Sequence, residues 1–376
     1  MTAFMAIRDN DRRRIVTASS HSDVFVIGGG PVGLAAAIAA RRKGFTVIVA
    51  DALEPPIDKA CGEGILPDGV EAAARLGIHL PAISSFTIRG IRFLGEGVSV
   101  AADFPEGHAR GIRRTTLHRA LVEEAERCGV DLRWGVSVPG LEGIESQWIV
   151  GADGLNSRVR KWAGLDAFRR DTRRYGFRLH FRRAPWSDYV EIYWGEGFQI
   201  YITPVAPDEI GVALLGRDPK LRVREALTQV PELAAKLDGV PACSRERGGV
   251  TTSRRLRHVT RGNVALIGDA SGSIDAISGE GICLGFRQAL ALADALERQD
   301  LHSYESAHRR LALRPRFMAD LTLTIGQTHW LHRRAMLASA AHPELFAGLL
   351  AMHVGAARKT DFAANCLELG WRILTI

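Results

Sequence analysis

Cysteine is scarce in this chain, and none of it is paired by spacing. Cys61, Cys128, Cys243, Cys283 and Cys366 are five among 376 residues, an odd number with no CxxC pair, which points away from a disulfide framework or a zinc site. Long apolar runs are missing too. No stretch approaches the roughly 18 apolar residues of a spanning helix, and the first 22 residues lack the apolar centre of a signal peptide. Residues 1–22 are therefore expected to form a disordered tail, and the protein to be cytoplasmic. No HExxH, no Ser/His/Asp arrangement and no His/Cys cluster occurs at useful spacing, so neither a metal nor a nucleophilic side chain is indicated. Nucleic-acid-binding modules, internal repeats and low-complexity tracts are absent. The net charge of +7 rests mostly on scattered arginines and implies a basic surface rather than a nucleic-acid partner.

What the chain does have is a 46% hydrophobic composition, enough for a sizeable core, and three glycine-rich stretches that each follow an apolar strand. The first is "DVFVIGGGPVGLAAAIAARRKGFTVIVAD". Its pattern predicts a strand over 24–27, a turn on Gly28, Gly30 and Gly33, a helix to residue 43 and a second strand over 46–49 ending at Asp51. This is a dinucleotide-binding βαβ unit: Gly28 permits the tight turn, Gly30 lets a pyrophosphate approach the backbone, and Gly33 lets helix and strand pack closely. Asp51 is placed for a ribose hydroxyl. Up to this point NAD and FAD fit equally, because both share the adenosine diphosphate half.

The second stretch, "QWIVGADGLNSRVRKWAG", and the third, "GNVALIGDASGSIDAISGEGICLGFRQALALADAL", each put an acid, Asp153 and Asp269, at the carboxyl end of an apolar strand. In open α/β sheets ligands lie along that edge. An Asp there can also cap a turn, but three such signatures favour one shared ligand.

From about Asp23 to about Arg298 the chain resembles the FAD-dependent group that holds monooxygenases of the para-hydroxybenzoate hydroxylase fold and geranylgeranyl reductases. Gly28, Gly30 and Gly33 match its dinucleotide motif, and Arg114 in "RRTTLHRAL" matches the arginine opening its second FAD-contacting helix. "GADGLNSRVR" matches its DG motif through Asp153, Gly154, Ser157 and Arg160, and "GDASG" its GD motif. The resemblance implies an FAD site formed by Gly28, Gly30, Pro31, Gly33, Asp51, Cys61, Gly62, Arg114, Asp153, Gly268, Asp269, Gly279, Gly281 and Ile282. In it Asp269 bonds the ribityl chain and "SGEGI" lies beside the pyrimidine edge. Small residues there allow backbone N–H groups to come within bonding distance, and the helix after Gly281 turns its positive end toward the ring.

Between residues 168 and 217, "YGFRLHFRR", "YVEIYWG", "FQIYITPV" and "EIGVALLG" alternate with period two, which predicts an antiparallel sheet. The resemblance makes this sheet a roof over the flavin, with residues 91–104 as its edge strands. Alternation puts Val190, Ile192 and Trp194 on one side and Glu191 and Tyr193 on the other, without saying which side faces the cavity. His180, Tyr193, Tyr201 and Pro204 are the expected cavity wall, because "IYITPV" stands where geranylgeranyl reductases carry an aromatic strand ending in proline. The span between Trp134 and Trp148 is too short for the strand pair most of the group inserts, so a trimmed sheet is expected there. "DKACGEGILPDGV" is similar to the Cys-Gly segment of geranylgeranyl reductases and would put Cys61 near the flavin.

The expected fold is thus α/β with an α+β insert: a Rossmann-like FAD-binding domain (23–81, 105–167 and 261–320), an antiparallel-sheet substrate domain (82–104 and 168–260) and C-terminal helices (321–376). Those helices pack on the sheet or a dimer partner, or else touch a membrane surface. The chemistry belongs to the cofactor, with Cys61 and Tyr201 as the side chains nearest to it. The leading expectation is a monooxygenase acting on a lipophilic small molecule. The alternatives are a reductase of isoprenoid double bonds, in which Cys61 supplies a proton, and a flavin-binding protein without turnover. No second GxGxxG follows a strand, so NAD(P)H would bind transiently over the same sheet, or ferredoxin or another flavoprotein would supply the electrons.

Overall fold

A computed structural model describes residues 14–15, 21–95, 97–167, 169, 173–357 and 359–375. The apolar run after Ser22 forms the strand Ser22–Ile27, whose last four residues are buried, and Pro31 opens the helix Pro31–Arg42 at a position where its missing N–H costs nothing. Val47–Ala50 follows and pairs with Ser22–Ile27 in parallel. This unit is the middle of a six-stranded sheet in the order Thr260–Arg261, Val264–Leu266, Ser146–Gly151, Ser22–Ile27, Val47–Ala50, Asp131–Arg133, parallel except at its first strand. Gly151 pairs with both Ile27 and Leu266. The carboxyl ends of the three motif-bearing strands are therefore level, at one edge of the sheet.

The second sheet has seven strands in the order Arg247–Thr252, Arg173–Phe181, Glu209–Gly216, Phe198–Ala206, Tyr189–Gly195, Gly90–Gly95, Val98–Asp103. It is antiparallel as expected except where Tyr189–Gly195 runs parallel to Gly90–Gly95. One face packs Ile200, Ile202, Ile210, Val212 and Tyr193 against the short helices Val223–Thr228 and Pro231–Leu237. The other face roofs the cavity. A small third sheet, Gly64–Ile65, Ala109–Gly111 and Phe86–Ile88, is an addition to the expected plan.

Two boundaries differ from expectation. Arg14–Ile15 pair in parallel with Val136–Ser137, which joins part of the expected tail to the stretch expected to be trimmed; the rest of residues 1–20 lies outside the described residues. The helix Leu301–Ile325, capped by the Asp300 carboxylate on His302 and Ser303 N–H, runs straight through the expected boundary at 320. It is followed by His329–Ala341 and Pro343–Val354, which pack on the roof's edge strand Val98–Asp103, and by Lys359–Thr375, which packs on those two helices.

Candidate active site

Between the level strand ends and the roof lies a cavity of about 430 Å³. Gly30, Pro31, Cys61, Gly62, Arg114, Gly268, Asp269, Gly279, Gly281 and Ile282, all expected at the FAD, line it together. Four of these are bare in a telling way: a Cβ added to Gly30, Gly62, Gly279 or Gly281 would meet nothing within 4 Å. Side chains there would project into open cavity, so the space is kept for a ligand that touches backbone. Gly28 and Gly33 serve the fold instead. Gly28 has φ 113°, and a Cβ on it would stand only 2.5 Å from Ala152 O; a Cβ on Gly33 would collide with Gly28 O.

The polar groups at this end suit a dinucleotide. Arg114 begins the helix Arg114–Arg127, lines the cavity, and has a buried Nε without a hydrogen-bond partner. Asp269 opens onto the cavity; burial raises its pKa, with Lys59 and Arg114 opposing. The helix Gly281–Glu297 points its N-terminus at the cavity. Asp51 lies beside the site, its Oδ2 accepting from Gly29 N at 2.7 Å and its Oδ1 from Leu53 N at 2.8 Å, with lone pairs left on both oxygens. Asp153 is outside the lining: its Oδ2 accepts from Arg158 N at 2.6 Å and Val159 N at 3.2 Å, so it caps the helix Arg158–Trp162. Its buried Oδ1 is without a partner.

Of the expected wall, only Tyr201 faces the cavity. Its hydroxyl donates to Ile277 O at 3.0 Å and burial raises its pKa, so it pins the 276–279 turn and keeps its proton at neutral pH. Tyr193 points the other way, into the core under the short helices, with its hydroxyl on Glu191. The cavity side of that strand is Val190, Ile192 and Trp194. Pro204 is also outside the lining, its carbonyl pressed so close to Gly111 that a Cβ there would overlap it; the neighbouring Thr203 lines the cavity. His180 is fully buried away from the lining, with Nε2 2.5 Å from Glu63 Oε2 and Nδ1 2.9 Å from Ser244 Oγ. Alternation along a strand buried on both faces carries no sign of which face is which, and the expected wall therefore mixed the two.

Cys61 lies on the cavity, and burial raises its thiol pKa, Arg114 opposing. The thiol therefore stays protonated at neutral pH, a proton source rather than a nucleophile. Residues that the pattern did not single out also shape the site. Glu63 lines it with a left-handed φ of 60°. Arg174, buried in the roof, bonds Asp275 Oδ1 at 2.9 Å and so anchors the loop that Tyr201 pins. Glu280, at the helix N-cap, is held by Arg314 at 3.2 Å. Each joins segments over a hundred or few dozen residues apart, beyond the reach of a local motif.

Away from the nucleotide end the cavity extends as an apolar arm. Ile91, Phe93, Val190, Ile192 and Trp194 form one side, and Met318, Leu321, Ile325, Ala335, Met336, Phe346, Leu349, Leu350 and Leu369 of the last four helices form the other, with Thr322, His332, Ser339 and His353 the polar side chains among them. Among the described lining residues the only lysine and arginine are Lys59 and Arg114, near Asp269.

The architecture and this floor define a flavoprotein, and the family described as FAD binding domain matches residues 21–143 and 139–300. The chain belongs to that family; it is an FAD-dependent oxidoreductase. It is 27% identical over 327 residues to a menaquinone reductase of Mycobacterium tuberculosis, covering 76% of this chain and 79% of that one. It is 26% identical to a digeranylgeranylglycerophospholipid reductase of Methanosarcina acetivorans (69% and 71% covered). It is also 27% identical to a putative 2-heptyl-3-hydroxy-4(1H)-quinolone synthase of Rhodococcus erythropolis (85% and 93% covered). Among solved structures, a flavoprotein/dehydrogenase of Cytophaga hutchinsonii shares the fold with a TM-score of 0.80 at 18% identity, covering 95% of this chain and 99% of that one.

Proposed function

We propose that the enzyme reduces a carbon–carbon double bond of a long lipophilic substrate of isoprenoid type. The apolar arm carries this reading: it suits an extended hydrocarbon chain, offering neither lysine nor arginine for an acidic substrate among its described residues. The relatives named for menaquinone and for a digeranylgeranyl lipid support it. FAD would lie on the floor, its pyrophosphate at Gly30 and Pro31, its ribityl chain at Asp269 and its ring beside Gly279, Gly281 and Ile282. Bound there and reduced by NAD(P)H or another external donor, it supplies hydride chemistry. The chain's own part is to exclude water, to align the substrate along Ile192 and Trp194, and to hold a proton on Cys61 Sγ.

Hydroxylation with O₂ is the second reading, favoured by the long match to the quinolone synthase. The test is anaerobic incubation of the FAD-loaded enzyme with dithionite and an isoprenoid quinone. After air has returned any quinol to the quinone, a product still two mass units heavier, and absent without enzyme, supports reduction of a side-chain double bond. No anaerobic product, with an oxygen atom incorporated from labelled O₂, supports hydroxylation instead.

The same helices that wall the arm expose Leu313, Trp330, Leu367, Trp371 and Leu374 on their outer faces. No single helix among the described residues is long and apolar enough to cross a membrane. Peripheral docking on a lipid surface is the role these side chains fit. Trp330→Ser/Trp371→Ser should then reduce sedimentation with phospholipid vesicles at unchanged stability.

A further inference from the structure

From the line of contacts between the cavity and the outer loop at 241–246, we infer that Ser244, His180 and Glu63 form a proton path from solvent into the active site. Glu63 is 3% exposed, yet lines the cavity two residues from Cys61, and its amide donates to Cys61 Sγ at 3.4 Å. Its φ of 60° is a left-handed conformation that a non-glycine residue adopts only when its surroundings hold it there. The position is held from several sides: Glu63 O accepts from Ile112 N at 2.9 Å and Oε1 accepts from Arg114 N at 2.8 Å. The roof makes room for the pair, because a Cβ on Gly211 would press Glu63 Oε2 at 3.2 Å and approach His180 Cδ2 at 3.6 Å.

The hydrogen-bond roles along the line follow from its donors. Ser244 Oγ accepts from His180 N at 3.1 Å, leaving its hydroxyl proton for His180 Nδ1 at 2.9 Å. Nδ1 then accepts, its one lone pair shared between the Ser244 hydroxyl and Arg178 Nη1 at 3.0 Å, and Nε2–H donates to Glu63 Oε2 at 2.5 Å. An imidazole bonded in this way passes protons without turning: one leaves from Nε2 to the carboxylate while another arrives at Nδ1 from the serine side. Ser244 is half-buried beside exposed Arg245, so the outer end reaches water. The charged groups around the line are Arg178, whose Nη1 lies 3.0 Å from His180 Nδ1 and 3.5 Å from Glu63 Oε1, and Asp58, which accepts from Arg178 Nη2 at 2.6 Å and Arg247 at 3.3 Å. Arg113, paired with Glu209 and bonded to Cys243 Sγ at 3.4 Å, stands beyond them.

The path rests on the reductase reading for its use. Reducing one double bond consumes a hydride, from FAD reduced by the external donor, and one proton. The proton enters the cavity from the Glu63 carboxylate, two residues from Cys61, and the path restores it from solvent. In the FAD-loaded enzyme, Ser244→Ala and His180→Gln should lower kcat about 10- to 100-fold. KM and FAD affinity should stay within about 2-fold, the solvent deuterium isotope effect should rise, and added imidazole should restore His180→Gly. Unchanged kcat in both variants, or losses confined to KM and FAD affinity, would overturn the path. In FAD-free protein, nitrogen NMR should find His180 as the Nε2–H tautomer, shifted in Ser244→Ala; the Nδ1–H tautomer would overturn it too. A wild-type enzyme that only hydroxylates sinks the reductase reading, while the NMR result still decides the path.

Discussion

The floor of the cavity presents backbone, at Gly30, Gly62, Gly279 and Gly281, whereas the roof presents side chains, at Ile192, Trp194, Tyr201 and Thr203. Backbone is the same in every residue, so the floor suits a ligand that does not vary: a dinucleotide cofactor recognised through N–H groups and a helix end. Side chains can be exchanged without moving a strand, so the roof is where substrate preference can change while the cofactor site stays intact. The two surfaces also fail differently. A change in the floor removes ligand space or breaks a turn; a change in the roof alters shape.

The sharpest way to break this comparison uses two neighbouring glycines. Gly30→Val should abolish FAD binding while circular dichroism and melting stay near wild type, since its Cβ enters open cavity. Gly33→Val should do the reverse in order, destabilising by about 3 kcal/mol or more through collision with Gly28 O. Equal stability loss in both would show that the open space at Gly30 is not reserved for a ligand.

The next effect is pH-dependent. His308 bonds Ser271 Oγ at 2.8 Å, behind the loop that carries Asp269, and burial lowers its pKa from 6.5 to about 4. Between those values the unfolded chain binds the proton more readily than the folded one. Stability should therefore be lost as pH falls from about 6.5 to about 4, by an amount on the order of 3 kcal/mol. Melting curves of His308→Asn should show a shallower fall across that window.

Asp269→Ala should weaken FAD by roughly 1.5–3 kcal/mol, about 10- to 150-fold, the worth of one charged hydrogen bond. Fluorescence titration with FAD measures it. The smallest effect separates the two faces of the roof: Tyr201→Phe frees the Ile277 carbonyl and should weaken FAD a few-fold, about 1 kcal/mol. Tyr193→Phe should leave FAD and substrate parameters unchanged, its hydroxyl lying on Glu191 on the face of the sheet away from the cavity.

Most of the floor was readable in sequence because what makes it is local, a strand, a turn of glycines and a helix within some twenty residues, three times over; Gly62 and Arg114, outside those stretches, came only with the resemblance. Gly28, Gly33 and Asp153 were found by the same signal, although their contacts in the fold are a turn, a helix crossing and a helix cap. The roof's strands were readable from period-two alternation, but their cavity face was not, since Tyr193 and Ile192 sit equally well in a strand with protein on both sides. Glu63 and His180 are 117 residues apart. Nothing local to "KACGEG" or "YGFRLHF" announces that a carboxylate from one meets an imidazole from the other.

The parallel pairing of Tyr189–Gly195 with Gly90–Gly95 has a consequence for how the molecule can be divided. The roof's edge strands come from a segment threaded between two portions of the nucleotide sheet, since Val47–Ala50 precedes it and Asp131–Arg133 follows. One cut in the chain at any loop between Ser22–Ile27 and Val264–Leu266 therefore leaves at least one sheet incomplete. Neither half can be lifted out as a contiguous piece, and a hybrid carrying a foreign roof needs four joins, two for each of its segments. In refolding, the edge strands find their partner only across about a hundred residues, which places completion of the arm late, among the slow long-range contacts.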